Sequence, residues 1–193
     1  MNTTEELTIL AISGSLRAGS LNTSLLAAAQ KHAPAGTRVE MYEGLAELPH
    51  FNDDLDNAQN LPDEVARLRT AIAAADGLLV ATPEYNYSIP GVLKNALDWA
   101  SRPNPGAALH AKHVAIVGAS PGNFGTSRAQ MALRQIFVAT CSNVMLRPEL
   151  LVFGAHLRFD DAGNLTDEVT IDLLRVTLEA LRDQIRERPA TRP

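Results

Sequence analysis

Apolar runs and segments of helical periodicity alternate along almost the whole chain. A near-continuous apolar run is typical of a parallel strand that is buried on both faces. Such runs predict strands at residues 7–12, 38–42, 77–81, 113–118 and 143–146. Apolar residues at helical spacing predict helices between and after these runs. Their buried stripes are Leu25, Leu26 and Ala29; Val65, Leu68, Ile72 and Ala75; Leu93 and Leu97; Ala129, Leu133, Ile136 and Phe137; and Leu174, Leu178, Leu181 and Ile185.

Prolines and hydroxyl residues mark where the helices are expected to begin. Pro62 and Pro90 suit the start of a helix, where a missing N–H costs no hydrogen bond. Thr126 or Ser127 is expected to cap the fourth helix. Thr166 is predicted to open the last helix, with acidic residues in its positive first turn.

The alternation of five strands with five helices predicts the fold class. It indicates a parallel sheet covered by helices on both faces, in one domain that spans residues 1–193. Two strand orders fit this pattern, the dinucleotide-binding order and the flavodoxin-like order 2-1-3-4-5. Both place ligands at the carboxyl ends of the strands, so chemistry is expected in the loops after Ser13, Thr82 and Gly118. The charged, proline-containing tail at residues 186–193 is expected to fray.

Composition narrows the function classes. A formal net charge of −5 argues against a general nucleic-acid binder, which would carry a basic stripe. The longest apolar stretch, residues 71–81, is too short to span a bilayer, and the N-terminus has no features of a signal peptide. The one cysteine, Cys141, is expected to be a buried thiol in a reducing cytoplasm. The histidines lack metal-ligand spacing, so no metal site is predicted.

The loop at residues 13–23 is the first candidate site. Its sequence, SGSLRAGSLNT, lacks the second glycine of a GxGxxG motif, and Gly19 is not followed by the Lys-Ser/Thr of a P-loop. What remains are hydroxyls, one arginine and a helix start, which together favour a bound dianion. A terminal monophosphate held as an anchor is favoured over a reacting triphosphate. The alternative is an ordinary polar turn in which Asn22 caps the helix and Arg17 is solvated.

Two further loops follow the third and fourth predicted strands. Two prolines stiffen the segment at residues 82–91, and its Tyr85 and Tyr87 offer rings with apolar faces. The segment at residues 118–125 carries three glycines, which allow backbone amides to approach a ligand closely. Taken alone, each segment is also compatible with an ordinary strand-to-helix loop.

Three motifs therefore occur together in one chain. They are GSLR with Ser20 and Asn22 in the first loop, PEYN with SIPG and LKNALDW at residues 83–99, and GASPG at residues 118–122. This combination resembles the NADPH-dependent FMN reductase family, a flavodoxin-like group that includes quinone, azo-dye and chromate reductases. The similarity extends over about residues 7–153. It implies a flavodoxin-like, doubly wound three-layer α/β sandwich with a five-stranded parallel sheet in the order 2-1-3-4-5.

The resemblance also implies which residues contact the cofactor, FMN. Those expected at its phosphate are Ser15, Arg17, Ser20, Leu21, Asn22 and Thr23. Those expected at its ring system are Pro83, Glu84, Tyr85 and Asn86, with Ser120, Pro121, Gly122 and Asn123 at the pyrimidine end.

Family members are typically homodimers or homotetramers, so a homo-oligomer is expected here. Arg128 and Glu149 match positions that contribute to tetramer contacts in chromate-reducing relatives. Met131 stands where some of those relatives have an aromatic residue, which makes a dimer the firmer expectation.

The function that the resemblance implies is an NAD(P)H-dependent, FMN-containing oxidoreductase. Hydride from NADPH or NADH is expected to reduce the flavin, which then reduces an acceptor such as FMN, a quinone, an azo dye or chromate. No acid or base side chain is assigned, because the flavin carries the chemistry. The long segment at residues 43–60 is expected to be a loop that could form one wall of the cleft. The alternatives are a non-catalytic electron carrier, which would not oxidise NAD(P)H, and a regulator without a redox role.

Overall fold

The computed structural model describes residues 6–103 and 107–187. The strands are β1 (Leu7–Ser13), β2 (Thr37–Met41), β3 (Gly77–Ala81), β4 (His113–Ala119), β5 (Asn143–Val144) and β6 (Leu150–Val152). The α-helices are α1 (Leu21–Lys31), α2 (Asp63–Ala74), α3 (Gly91–Ala100), α4 (Ser127–Ala139) and α5 (Glu168–Glu187). Single 3-10 turns lie at Leu45–Glu47, Asp53–Leu55 and Ala155–Leu157.

The strands form one parallel sheet in the order β2-β1-β3-β4-β5, and β6 also pairs with β4. Ile9 of β1 lies opposite Val39 of β2 on one side and Gly77 of β3 on the other. The flavodoxin-like order 2-1-3-4-5 is therefore confirmed, and the dinucleotide-binding order is excluded. Because the strands are parallel, the loops after β1, β3 and β4 leave the sheet at the same edge.

Alternate residues of the central strands supply a core on each face of the sheet. Ile9 and Ala11 of β1 belong to the cluster that includes α1 and α5. Leu10 and Ile12 belong to the cluster that includes α2, α3 and α4, where Trp99 is fully buried. A parallel sheet covered on both faces needs apolar residues at consecutive positions, which explains the near-continuous apolar runs.

The fifth strand differs from the single run expected at residues 143–146. β5 pairs with the start of β4, over Asn143 and Val144 only. β6 returns to the end of β4, where Leu150 lies opposite Val117. Pro148 lies between the two pieces and has no N–H to give to a strand ladder. The edge of the sheet is therefore built from two short segments.

Two helix starts also differ from the expectation. Thr126 precedes α4 with a φ of 69° and makes no capping hydrogen bond through its side chain. The cap of α5 is Asp167 rather than Thr166, because the Asp167 carboxylate accepts the N–H of Thr170 at 2.9 Å. The Thr170 hydroxyl also donates to this carboxylate at 2.5 Å, and the Arg158 guanidinium lies 2.8 Å away. These hydrogen bonds and the positive charge hold the pKa of Asp167 below its usual range.

The C-terminal tail and Cys141 both differ from what the sequence predicts. α5 continues to Glu187, so the first two residues of the tail expected at 186–193 are helical, and residues 188–193 lie outside the described residues. The buried thiol expected at Cys141 is wrong, because this residue follows the last turn of α4 with a φ of 56° and is exposed. Over the two described ranges, the helices are too short or too polar to cross a membrane.

Candidate functional site

The loops after β1 and β3 pack directly on each other at the carboxyl edge of the sheet. The N–H of Gly14 donates to the C=O of Ala81, at the end of β3, at 2.8 Å. A Cβ atom on Gly14 would lie 3.0 Å from Leu93 Cδ2 and 3.3 Å from Pro83 Cδ. Glycine at this position therefore allows the first loop to contact the second without a shift of the backbone.

The first loop presents a series of hydroxyls in front of α1. The Ser20 hydroxyl caps α1 by accepting the N–H of Thr23 at 3.2 Å, and the Ser15 hydroxyl accepts the N–H of Arg17 at 3.3 Å. The hydroxyls of Ser13 and Thr23 are hydrogen-bonded to each other at 2.8 Å. Ser15 and Ser20 act as acceptors in these contacts, so their hydroxyl protons stay available to a ligand.

Positive charge and helix geometry add to these hydroxyls. Arg17 is exposed and has no ion-pair partner within the part of the chain that the structure describes. The N–H groups of Leu21 and Asn22 lie in the first turn of α1, where an α-helix has no internal acceptor. Residues 13–23 include no carboxylate that would repel an anion, so these donors suit a phosphate.

The Asn22 side chain is occupied within the protein. It is buried, its Nδ2 donates to the C=O of Ala119 at 3.0 Å, and its Oδ1 accepts the N–H of Ala119 at 2.9 Å. These two bonds join the start of α1 to the end of β4. Asn22 can therefore contribute its main-chain N–H to a phosphate site, while its side chain connects the first loop to the third.

The second loop is a tight hairpin. Tyr85 and Ser88 exchange both main-chain hydrogen bonds, each at 3.0 Å. The two residues between them have positive φ angles, 51° at Asn86 and 68° at Tyr87, as in a type I′ turn. Asparagine adopts this conformation readily, whereas a bulky residue such as tyrosine rarely does. The rings of Tyr85 and Tyr87 are exposed at the tip of the hairpin.

Glu84 extends from the second loop to the start of α4. Its Oε2 accepts the N–H of Arg128 at 3.1 Å and that of Ala129 at 3.4 Å, and its Oε1 forms an ion pair with the Arg128 guanidinium. The carboxylate thus caps α4 in place of Thr126. This cap was not predicted from the sequence, although Glu84 is the one acidic residue between β3 and α3.

The Arg128 guanidinium lies between two aromatic rings. Its central carbon is 3.9 Å from the ring centroid of Tyr87 and 4.2 Å from that of Phe124. Both distances are within the range of a cation–π contact. Arg128 therefore links the hairpin of the second loop to the third loop, which contains Phe124.

The third loop is anchored at its base and exposed at its tip. The N–H of Ser120 donates to the C=O of Val152 at 2.9 Å, and its C=O accepts the N–H of Ala155 at 3.0 Å. The Ser120 hydroxyl accepts the N–H of Gly122 at 3.2 Å. Beyond this base, residues 121–123 are exposed, so Pro121, Gly122 and Asn123 are accessible to a ligand at the sheet edge.

The segment at residues 43–60 is held against α3. The Asn95 side chain donates to the C=O of Pro49 at 2.9 Å and accepts the N–H of Phe51 at 2.8 Å. The Trp99 indole N–H donates to the same carbonyl of Pro49 at 2.8 Å. Two residues of the LKNALDW motif therefore anchor this segment, and no feature of the sequence alone indicated that contact.

The three loops offer two kinds of environment that fit the two ends of FMN. The first loop supplies hydroxyls, main-chain N–H groups and one arginine that forms no ion pair with the described residues, which suits the phosphate. The second and third loops supply an exposed turn and exposed aromatic rings, which suit a flat ring system. The residues present are therefore compatible with the cofactor that the sequence resemblance implies.

Sequence comparisons connect this site to proteins of known activity. Residues 7–156 match the family of NADPH-dependent FMN reductases. The chain is 44% identical to an NAD(P)H-dependent FMN reductase of Pseudomonas aeruginosa, over 94% of this chain and 97% of that protein. It is 38% identical to a quinone reductase of Escherichia coli, over 94% and 96% of the two chains. It is 41% identical to an NADPH:quinone oxidoreductase of Arabidopsis thaliana, over 90% and 89%.

Solved structures lead to the same group. FerB, a flavoenzyme NAD(P)H:(acceptor) oxidoreductase from Paracoccus denitrificans, superposes with a TM-score of 0.85 at 35% identity, over 94% of this chain and 98% of that one. An NADH:FMN oxidoreductase superposes with a TM-score of 0.67 at 23% identity, over 96% and 94%, and supports the fold alone. The matched sequence includes all three loops at the carboxyl edge of the sheet.

Proposed function

The chain belongs to the NADPH-dependent FMN reductase family and is an NAD(P)H-dependent flavin oxidoreductase, and we propose that its electron acceptor is a quinone. FMN is the cofactor. The acceptor is a proposal because the relatives differ in what they reduce. Those named above include one FMN reductase and two quinone reductases.

The exposed aromatic side chains of the second and third loops carry this proposal. Tyr85, Tyr87 and Phe124 are 51%, 72% and 61% exposed. Aromatic rings stack favourably on other flat rings, in offset or edge-to-face geometry. A quinone is flat and largely apolar, so these rings offer it a docking surface next to the cofactor loops.

The loops would hold FMN in two parts. We assign Ser15, Arg17, Ser20 and Thr23, with the main-chain N–H groups of Leu21 and Asn22, to its phosphate. We assign the loop residues Pro83, Glu84, Tyr85, Asn86, Ser120, Pro121, Gly122 and Asn123 to the surroundings of its ring.

The chemistry comes from the cofactor, and the chain binds and orients the reactants. When bound, FMN would supply the hydride-transfer and two-electron chemistry that connects NAD(P)H to an acceptor. The hydrogen-bonded hairpin at residues 85–88 and the anchored base of the third loop would supply main-chain dipoles to the ring, which is the kind of preorganisation that stabilises developing charge. No side chain of the three loops is assigned as an acid or a base.

Anaerobic titration of the purified protein tests this proposal. We expect a yellow protein that loses its visible absorbance on addition of NADPH and regains it on addition of benzoquinone. A yellow protein that NADPH does not bleach would contradict the activity. A reduced protein that reacts with free FMN but not with benzoquinone would contradict the quinone assignment.

Reduction of free flavin is a second candidate, and one observation favours it. The P. aeruginosa relative at 44% identity is named an FMN reductase. The two candidates differ in whether FMN stays bound during turnover. Gel filtration in the presence of NADPH and benzoquinone separates them, because a flavin substrate would leave with the small molecules, whereas a resident cofactor would elute with the protein.

We also propose that the chain forms a homo-oligomer in which the outer face of α4 is an interface. Met131 and Val138 are 57% and 72% exposed. Seven positions separate them, so they lie on the same face of the helix. Exposed large apolar residues on one face suit burial against a second copy.

Sedimentation analysis of Met131→Glu tests this interface. We expect the wild type to sediment as an oligomer and the variant to shift toward a smaller species, because a carboxylate would be buried in the interface without a partner. An unchanged mass distribution in the variant would contradict this face as the interface. A monomeric wild type would contradict the oligomer itself.

We propose a cytoplasmic location. The chain has one cysteine and therefore no internal disulfide, which fits a reducing compartment. Cell fractionation with an antibody tests this, and recovery in an extracellular or membrane fraction would contradict it.

A further inference from the structure

Glu84 differs from Arg17 and Arg128, the other charged side chains around the cofactor loops, because protein encloses its carboxylate almost fully. Only 9% of its side chain is exposed, although Tyr85, Asn86 and Tyr87 beside it are all exposed. A carboxylate is buried at little cost only when it is paired and hydrogen-bonded. Glu84 meets both conditions through α4 and not through its own loop.

The contacts of Glu84 use both oxygens of the carboxylate. Oε2 accepts the first N–H groups of α4, and Oε1 holds the Arg128 guanidinium. A negative charge at a helix N-terminus is stabilised by the helix dipole and by the free N–H groups of the first turn. Glu84 therefore fixes the base of the hairpin to α4.

Arg128 continues the connection to both loops. Its guanidinium stacks on Tyr87, which has the strained φ of 68°, and on Phe124 of the third loop. A bulky residue keeps a positive φ only when its surroundings hold it there. The ion pair with Glu84 holds Arg128 in the orientation that this stacking needs.

We propose that Glu84 and Arg128 act as positioning residues that lock the second and third loops into one preformed surface for the flavin ring. The Glu84 side chain acts through Arg128 and the first turn of α4. The flavin-binding part of this inference rests on the proposed function, whereas the locking of the loops does not. Without this ion pair, we expect the hairpin to move independently of the third loop. FMN binding would then have to order both loops, and this cost would lower the affinity.

Amide hydrogen exchange in the FMN-free protein tests the locking directly. In Glu84→Gln one amide oxygen can still accept an N–H of α4, but the charge that holds Arg128 is gone. We expect exchange to become about tenfold faster at residues 85–88 and at the amides of Arg128 and Ala129, as for the loss of one charge-assisted hydrogen bond. Arg128→Ala should produce the same change at residues 85–88.

Flavin binding tests the consequence of the locking. We expect each single variant to raise the Kd for FMN about tenfold, measured by flavin fluorescence quenching. The double variant, Glu84→Gln with Arg128→Ala, should bind FMN no more weakly than the single variant that has the higher Kd, because the two residues act as one unit.

Asp98→Asn is the matched control. This substitution also converts an acid to its amide, and Asp98 forms an exposed pair with Lys94 on α3, at 2.6 Å. It should change neither exchange at residues 85–88 nor FMN affinity. The proposal is overturned by unchanged exchange in both Glu84→Gln and Arg128→Ala, by faster exchange with unchanged FMN affinity, or by additive losses in the double variant. A wild type without NAD(P)H oxidation would overturn the function and leave the exchange result standing.

Discussion

Arg17 and Asn22 lie five positions apart in one loop and have opposite environments. The Asn22 side chain is buried against Ala119. Arg17 is exposed, and the described part of the chain gives it no ion-pair partner. A guanidinium held in solvent beside hydroxyls and helix N–H groups is able to form two parallel hydrogen bonds with a phosphate. At the scale of single residues, Arg17 is therefore the side chain whose removal should affect the anchor most selectively.

Arg17→Ala is predicted to weaken FMN binding while leaving the fold intact. Loss of a charge-assisted contact is worth about 1.5–3 kcal/mol, or about ten- to a hundredfold in Kd. Fluorescence titration of FMN measures this, with circular dichroism to check the fold. Arg147→Ala is the control, because the Arg147 side chain is 83% exposed and lies far along the chain, before β6. Equal FMN affinity in Arg17→Ala and wild type would contradict the anchor role.

At the scale of elements, the capping of α5 gives stability a dependence on pH. Hydrogen bonds from Thr170 and the charge of Arg158 keep the pKa of Asp167 low in the folded protein. A depressed carboxylate pKa contributes stability above the unfolded pKa of about 4, and this contribution is lost as the pH falls through the folded pKa. Asp167→Asn is therefore predicted to lower the free energy of unfolding at pH 7 by a few tenths to about 1 kcal/mol.

Urea unfolding at a series of pH values checks the Asp167 prediction. The difference between wild type and Asp167→Asn should shrink below about pH 4, where the carboxylate begins to protonate. Asp172→Asn serves as the control, since Asp172 is 69% exposed on the same helix. A difference that stays constant down to pH 2 would contradict the role of the charge.

The anchoring of residues 43–60 to α3 also predicts a measurable effect. Asn95→Ala removes the hydrogen bonds to Pro49 and Phe51. We expect faster amide exchange at residues 49–56 and a loss of about 1–3 kcal/mol in the free energy of unfolding, because the partly buried N–H of Phe51 loses its partner, while the C=O of Pro49 keeps the indole N–H of Trp99. Lys94→Ala, on the exposed face of the same helix, should leave both unchanged. Unchanged exchange at residues 49–56 in Asn95→Ala would show that the segment is held by other contacts.

The strands and helices could be predicted from the sequence wherever they depend on a local pattern of apolar residues. The strands β1 to β4 and the five helices follow from apolar periodicity, because burial on both faces of a sheet leaves a clear signal. The break between β5 and β6 was not predictable, since each piece has only two or three residues. Glu84 and Arg128 are 44 residues apart, so their contact depends on the sheet order and has no local signature.

At the scale of the whole molecule, FMN would connect loops from three separate strands. A ligand that binds only the folded state stabilises it, by about 2.7 kcal/mol at a concentration of 100 times Kd. For a chain of this length, that corresponds to a rise in Tm of roughly 5–10 °C. Riboflavin has the same ring and no phosphate, so it cannot use the first loop.

Thermal unfolding with the two flavins is therefore predicted to differ. FMN should raise Tm by several degrees more than riboflavin at equal concentration, and Arg17→Ala should reduce that difference. Equal shifts with FMN and riboflavin would contradict a phosphate anchor at residues 13–23.

The split fifth strand also affects how the protein behaves at high concentration. A long, regular edge strand exposes a row of unpaired N–H and C=O groups that can template strands of other molecules. Here the β5 edge offers only two residues before the chain departs at Pro148, and β6 offers three. At the opposite edge, Arg38 and Glu40 place charges along β2. Neither edge is suited to extend the sheet into a neighbouring molecule, which protects the native state from aggregation.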